Sequence, residues 1–518
     1  MDIQVISTTT IHPSIRKDDL TSTPLSIFDN VSADYARCAA AWFYTPSSHL
    51  TPSHLHESLS KTLSYYPQWC GRLSYITPKP KGNHNERYQR IWVTYNATSD
   101  PGVPFITATS PKPLSTFLPS TATRKDYLKA WDGNQLPSSD LLPDTNLAKA
   151  ESPDAPSMII QFTTFSCGSM AIAIEITHCL ADAVSMNTFA KDWARTSKAM
   201  LSGSPLPILS PIFDPQLLDR AAAGDIDAEQ PDTDIVMEAR RLPMHRHDWY
   251  KPVEGQPWPA DIPDDLPKEG FSESEPIPWH QWDTKAPISH RVLHFSAPEI
   301  QNVYLSATQS CGGTTGTRIS KHDALLGHIW SRINASRNLK PGTKTYLDMT
   351  FGLRPRVNPP LPDTFLGSPI THAAVSSLIP ESLSDYHTQS AKSLAQNIRN
   401  TLIQFTPSTI GALLHDRAFE IAPERLWSTC LGSHYVLLTT WIHSGVYDVD
   451  FGTGRPVYVE AIMPACDGLV EVMEAPGEDR YREGGRWDGD GVDVSVYLEA
   501  GAMERLVRDE TLWGGELK

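Results

Sequence analysis

The hydrophobic pattern of this chain changes character along its length. In the first part, short apolar runs alternate with helical spacings. Ser169-Met-Ala-Ile-Ala-Ile-Glu-Ile176 is a near-continuous run of small and β-branched residues, the pattern of a buried strand. Beyond it, Met186, Phe189 and Trp193 recur at three- and four-residue spacing, which predicts a helix opening at Ala183 and running through Ala194. From Ser202 to about Ser289 the periodicity is lost. Ser204-Pro-Leu-Pro-Ile-Leu-Ser-Pro211, Lys251-Pro-Val-Glu-Gly-Gln-Pro-Trp-Pro259 and Ile262-Pro-Asp-Asp-Leu-Pro267 carry proline too often for long helices or central strands. A long crossover linker is expected there. Ordered patterning restarts with the alternating strand Arg291-Val-Leu-His-Phe-Ser-Ala-Pro-Glu299. Ser320 and Asp323 approximate a capping box ahead of an apolar-periodic helix reaching Ile333. Val457–Met463 and Val492–Leu498 read as late strands. No short-period repeat is present.

The pattern divides the chain into residues 1–200, a Pro-rich linker at 201–290, and residues 291–518. At 518 residues the chain is too long for one core, so more than one domain is expected. Its 40% apolar and 20% charged content are those of a globular protein. A net charge of −16 argues against nucleic acid or an anionic membrane as partner. The seven cysteines at 38, 70, 167, 179, 311, 430 and 466 are odd in number, widely spaced and without a C-x-x-C, which fits reduced thiols in the cytoplasm. The first residues lack a basic n-region and a long apolar run, so no signal peptide is expected, and no window is apolar enough to span a membrane.

Candidate chemistry centres on His178. Among eighteen histidines it alone is followed four residues later by an aspartate, Asp182. It lies between the predicted strand and the predicted helix, where rigid scaffolds place reactive groups. A histidine there is competent as a general base at neutral pH. A core histidine followed by an N-cap aspartate is the bland alternative. Cys179 follows a strand in an apolar run and reads as a small buried hydrophobe, not a nucleophile. Far downstream, Asp450-Phe-Gly452-Thr-Gly454 calls for a tight turn after Val446–Asp450. Without the other kinase elements, Asp450-Phe-Gly is not a kinase metal-binding motif. Asp488-Gly-Asp490-Gly-Val-Asp493 lacks the ligand pattern of a calcium loop, and Met244-His245-Arg-His247-Asp248 has no third spaced partner. No metal is expected.

The two motifs in this order resemble the His-x-x-x-Asp and Asp-Phe-Gly-Trp-Gly motifs of the BAHD family of acyl-CoA-dependent acyltransferases. Other stretches match in the same order: Leu25-Ser-Ile-Phe-Asp29; the helix and turn from Leu55 to Leu73; the helix from Ser320 to Trp330; and Arg354-Pro-Arg356-Val-Asn-Pro-Pro-Leu-Pro362-Asp-Thr-Phe365-Leu-Gly367. Ala183 replaces the family's glycine after the motif aspartate, and Thr453 replaces the tryptophan of its C-terminal motif. Both departures bring the chain closer to the fungal secondary-metabolite branch than to the plant enzymes.

The resemblance implies an α/β chain of two similar domains, each a mixed sheet flanked by helices in the manner of chloramphenicol acetyltransferase. They are joined by the crossover linker, with a solvent channel between them, and the second half lends a segment to the first half's sheet. It implies acyl transfer, with acetyl as the expected group, from acyl-CoA to a hydroxyl or amine of a small-molecule acceptor. His178 would be the base and no covalent intermediate would form. Acyl-CoA is then a co-substrate, no cofactor is permanently bound, and a monomer is expected. The sequence does not assign the CoA contacts. The resemblance also implies that Asp182 holds a turn by pairing with an arginine, Arg354 first and Arg356 second; a pure N-cap role stays open. Asp450, Gly452 and Gly454 would shape the CoA side of the channel. Thr440 and Trp441 would line the pocket near the base, or Trp441 would simply sit in a core strand. A peptide-synthetase condensation-type enzyme and a non-catalytic binding member of the family are the alternative readings.

Overall fold

A computed structural model describes residues 3–16, 19–79, 82–143, 146–260, 262–267, 270–309, 318–381, 391–482 and 485–514; Cys311 lies outside them. Two mixed sheets dominate the structure. The first has six strands, in the order Gln4–Ile11, Val103–Ser110, Met158–Phe165, Met170–Ile176, Cys38–Tyr44, Tyr458–Ala461. The second has seven, in the order Ile370–Leu378, Lys344–Gly352, Tyr435–Thr440, Leu469–Glu474, Val492–Glu499, Ile288–Phe295, Ala130–Asp132.

The final strand of each order comes from the other half of the chain. Tyr458–Ala461 pairs antiparallel with Cys38–Tyr44 at the edge of the first sheet, as the family resemblance implies. Ala130–Asp132 pairs with Ile288–Phe295 at the edge of the second, a reciprocal loan that the sequence did not announce. Neither sheet is completed by its own half of the chain.

Strand alternation separates two kinds of face. On the first sheet, Trp42, Ile172 and Ile174 turn toward Leu55, Leu59 and Leu63 of helix Pro52–Leu63 and toward Met186, Phe189 and Trp193 of helix Ala183–Ser202, forming one core. The intervening Ala39, Ala41, Phe43, Ala171 and Ala173 pack against Trp131 and Val292 of the second sheet. The two sheets therefore face each other. On the second sheet, Leu347, Met349, Val436, Leu438, Val470, Val472, Val494 and Val496 join Leu325, Ile329 and Ile333 of helix Lys321–Ser336 in another core. The alternate positions of the paired strands, which face the first sheet, include Asp348, Thr350, His372, Thr439, Glu471, Asp493 and Ser495. An inward sheet face this polar is tolerated only where its groups find partners or line a wet space.

The linker is well organised for a Pro-rich segment. It contributes helix Thr233–Arg240 and two short strands, His247–Asp248 and Glu275–Pro276, which join Leu426–Trp427 in a small sheet. Asp248 and Glu420 both accept from the fully buried Arg425, tying the linker to the second half.

Phe451 of the Asp450 motif is part of the first core, while Asp450, Gly452 and Gly454 stand at its rim. The Phe451 ring is wholly buried, edge-on to Trp193 at 4.8 Å and to Tyr44 at 5.9 Å. Phe451→Ala is expected to lower unfolding free energy by about 3–5 kcal/mol through lost burial and a residual cavity. Urea denaturation measures this directly; a loss under about 1 kcal/mol would mean that the ring is not part of the core.

Candidate active site

Strand Met170–Ile176 ends one residue before a tight turn. The Thr177 amide bonds the Ser157 carbonyl, and the Leu180 amide bonds the Thr177 carbonyl at 3.1 Å. His178 sits in this turn. Asp182 then caps helix Ala183–Ser202, with Oδ1 accepting from the Ser185 amide at 2.9 Å. The same carboxylate takes a bidentate fork from Arg354, Nη1 to Oδ2 at 2.5 Å and Nη2 to Oδ1 at 2.9 Å. Asp182 is thus both cap and ion-pair partner, with 3% of its surface exposed against 7% for Arg354. Arg356, the second candidate partner, instead donates to the carbonyls of Leu402 and Phe405.

Arg354 belongs to a loop that the second half presses against the turn. Its guanidinium also reaches Ser185 Oγ and the Phe365 carbonyl. The Gly367 carbonyl accepts from both the Asp182 amide, at 3.0 Å, and the Ser185 hydroxyl, at 2.8 Å. Next in line, Ser368 is fully buried with Oγ 3.0 Å from His178 Nδ1. The Ser368 amide donates to Asp29 Oδ1 at 2.6 Å. Asp29 sits in a capping box with Ser26, so the N-terminal Leu25–Asp29 motif ends at this same junction. Burial pushes the Asp29 carboxyl up to about 7, against the opposing effect of its hydrogen bonds from Ser368 and Ser26.

Around His178 the structure gathers residues that the motifs did not single out. The ring of Tyr35 lies 5.6 Å from His178 and 5.7 Å from His372, centroid to centroid. His372 Nδ1 shares Ser428 with the Tyr35 hydroxyl. Further out, His245 is bonded to Asp348 at 3.0 Å and stacks on His247 at 4.8 Å. Burial first, and the neighbouring histidines second, hold His372 and His247 down to about 3, so both rings are neutral. Burial also lowers His178, partly offset by the nearby Asp182 charge. A neutral ring with a free lone pair is the form a proton acceptor needs.

The second motif lies by the other end of the same helix. Lys198 Nζ meets Asp450 Oδ2 at 2.6 Å, and Asp450 Oδ1 accepts from the Gly452 and Gly454 amides at 2.9 Å each. Partial burial would raise this carboxylate, but the hydrogen bonds from Lys198 and the two glycines hold it below its ordinary value. Gly452 and Gly454 have φ of +102° and +104°, a region where a side chain is strained. A Cβ on Gly452 would also come within 2.9 Å of Leu201. Asp450 therefore organises a turn.

Thr440 closes the strand Tyr435–Thr440, and Trp441 follows it. Alternation turns Thr440 to the helix face of the second sheet, 3.3 Å from His322 Nε2, while Thr439 points to the inter-sheet side. Trp441 is 4% exposed and packs in the first core. Cys179 is buried, and burial pushes its thiol up to about 12, far from a thiolate at neutral pH. Ser368, Tyr35 and His372 were not read from the sequence. Ser368 follows the Arg354–Gly367 signature by one residue, and only the folded loop shows what it touches.

Two facing mixed sheets that trade edge strands, with a histidine at a strand end tied to the opposite half, define the two-lobed transferase architecture. Comparisons agree. Vinorine synthase superposes with a TM-score of 0.58 at 19% identity, over 97% of this chain and 96% of that one. The TRI101 protein of F. graminearum, solved with coenzyme A and deoxynivalenol, superposes with a TM-score of 0.61 at 14% identity, over 95% and 98%. Among sequences, acyltransferase AFT15-1 of Alternaria alternata is 27% identical over 99% of this chain and 97% of its own length. Acyltransferase abl6 of Leptosphaeria maculans is 23% identical over 100% and 99%. The Transferase family matches residues 1–512, and the chain belongs to this family, the BAHD acyltransferases.

The buried pair sets a test. Asp182→Ala and Arg354→Ala should each cost about 3–5 kcal/mol, because each leaves an unpaired buried charge. The double variant should cost clearly less than the sum. Denaturant melts of the three variants measure the coupling, and additive losses would show that the pair is not an energetic unit. Asp182→Asn keeps the cap but loses the ion pair. If it abolished turnover with stability and substrate binding unchanged, Asp182 would have a chemical role.

Proposed function

We propose that this BAHD-family chain moves an acyl group, acetyl in the simplest case, from acyl-CoA to a hydroxyl or amine of a small-molecule acceptor, with His178 as general base. The observation that carries the reading is the placement of His178: neutral, at a strand end between the two sheets, with its motif aspartate wholly engaged by Arg354 and the helix cap. One group is left free to take a proton. Nε2 of His178 removes the acceptor's proton as the acceptor oxygen or nitrogen attacks the thioester carbonyl. The tetrahedral intermediate collapses, the C–S bond breaks, and the proton held on His178 passes to the departing CoA thiolate. Both substrates are bound together and no acyl-enzyme forms. The complexes of TRI101 with coenzyme A and deoxynivalenol support a site for two substrates. The six described cysteines are all unpaired, in keeping with a reducing compartment, and we place a monomeric enzyme in the cytoplasm.

A condensation-type enzyme is the second reading, favoured by the fold of a CDA synthetase condensation domain, which superposes with a TM-score of 0.50 at 13% identity. Thr177 and Ala183 stand where such domains usually carry a second histidine and a glycine. Thiol release from acetyl-CoA with a panel of alcohols and amines separates the two. CoA release that depends on the acceptor supports the acyltransferase; its absence with every pair of acyl-CoA and acceptor speaks against it.

His178→Ala should lose at least ~10²-fold in turnover, the usual cost of removing a general base, while remaining folded. Near-normal rates in a folded variant would refute the mechanism. Because burial lowers His178, the acid limb of kcat/KM should fall at a pH below the ordinary histidine value of 6.5: protonation inactivates the base, and it occurs later on acidification than in water. An acid limb above that value would contradict the buried site.

Direct transfer predicts no stable adduct. Intact mass after incubation with acyl-CoA and no acceptor should be unchanged. A stoichiometric acyl adduct removed by Cys179→Ser would establish ping-pong chemistry instead.

A further inference from the structure

Resting on His178 as the base, we propose that Ser368 is a positioning residue that fixes which nitrogen of His178 takes the proton, and that Asp29 acts through Ser368. An imidazole base must keep the lone pair of one nitrogen for the acceptor and carry hydrogen on the other. His178 Nδ1 lies 3.0 Å from Ser368 Oγ. With Nε2 as the basic nitrogen of the proposed mechanism, Nδ1 carries the hydrogen, Ser368 Oγ accepts from it, and Nε2 keeps its lone pair. When Nε2 takes the acceptor's proton, Nδ1–H becomes the donor of an imidazolium. Its bond to Ser368 then becomes charge-assisted and strengthens as charge develops. A neutral hydroxyl also suits a base that must release its proton again to the CoA thiolate, since it stabilises the imidazolium less than a carboxylate would.

Ser368 is fully buried and cannot drift. Its amide is held by Asp29 Oδ1 at 2.6 Å, across 339 residues of sequence. The Gly367–Ser368 peptide, reached through a φ of +135° at Gly367, turns its carbonyl to Asp182 and Ser185 and its amide to Asp29. A Cβ on Gly367 would stand 3.1 Å from Asp29 Oδ1. Asp29 is itself held by the Ser26 amide at 3.0 Å. The Leu25–Asp29 motif thus supports the hydroxyl that orients His178 and touches no reacting atom.

The test is a mutant cycle. Ser368→Ala should lower kcat by about 10-fold or more with the KM for acyl-CoA unchanged, the scale of a lost hydrogen bond to a charged group. Placed in the His178→Ala background, the same substitution should change the residual rate by less than about twofold, because there is no ring left to orient. Asp29→Asn, assayed at a temperature where circular dichroism shows it folded, should lower kcat in the same manner and should not add fully to Ser368→Ala. Wild-type kcat in Ser368→Ala, with His178→Ala inactive, overturns the proposal and leaves the base assignment standing. Activity in a folded His178→Ala overturns the base assignment itself. Equal losses from Ser368→Ala in both backgrounds show that Ser368 supports only the fold. If Ser368→Ala does not fold, Asp29→Asn decides: wild-type kcat overturns the proposal, and a lowered kcat with unchanged KM that vanishes in the His178→Ala background upholds it.

Discussion

The junction of the two halves rests on one buried ion pair. Asp182 and Arg354 meet with two parallel hydrogen bonds while almost wholly withdrawn from water. Two charges in that position are tolerable only with close geometry and further hydrogen bonds. Both are present: Asp182 also caps its helix, and Arg354 also reaches Ser185 Oγ and the Phe365 carbonyl. Satisfying the pair brings the loop from Arg354 to Ser368 against the His178 turn, and the rest of the site follows from that contact. The aspartate of the motif is thereby engaged by the helix cap and by Arg354.

The helix Ala183–Ser202 links the two motifs mechanically. Its N-cap is Asp182, and Lys198, near its other end, grips Asp450. About sixteen residues at ~1.5 Å each separate these contacts by roughly 24 Å. The core below is filled by Trp193 and Phe451, so the Asp450 turn cannot move without disturbing the helix that carries the His178 turn. Exchange of edge strands adds a second constraint, since Tyr458–Ala461 and Ala130–Asp132 each cross to the opposite sheet. The relative position of the sheets is set by main-chain hydrogen bonds as well as by side-chain packing.

Between the sheets burial favours the neutral forms of several groups. It keeps His372 and His247 neutral, pushes Glu460 up to about 7 and holds Glu471 well above its ordinary value. A net charge of −16 on the whole chain therefore says little about the space around His178.

Much of this was legible in the residues themselves. The run from Ser169 to Ile176, the three apolar positions of the following helix and the Ser320–Asp323 capping box all describe local structure, and local structure follows from short-range periodicity and capping. The motif order marked His178 as the candidate base, and Arg354 proved to be the partner of Asp182. The linker's prolines excluded long elements but not the short strand His247–Asp248, which needs only two residues of pairing. Contacts across long sequence separations could not be read this way. Nothing local to Ser368 announces His178, 190 residues away, or Asp29, 339 residues away. Nor does the run Tyr435–Thr440 say which of Thr439 and Thr440 faces the first sheet, because period two leaves the choice to the sheet's register and orientation. The sequence by itself determined the elements, the candidate base and the family to which its motifs belong. Only the tertiary structure decided which groups surround that base, because those contacts arise when two halves of the chain are packed together and their buried polar atoms must find partners in one another.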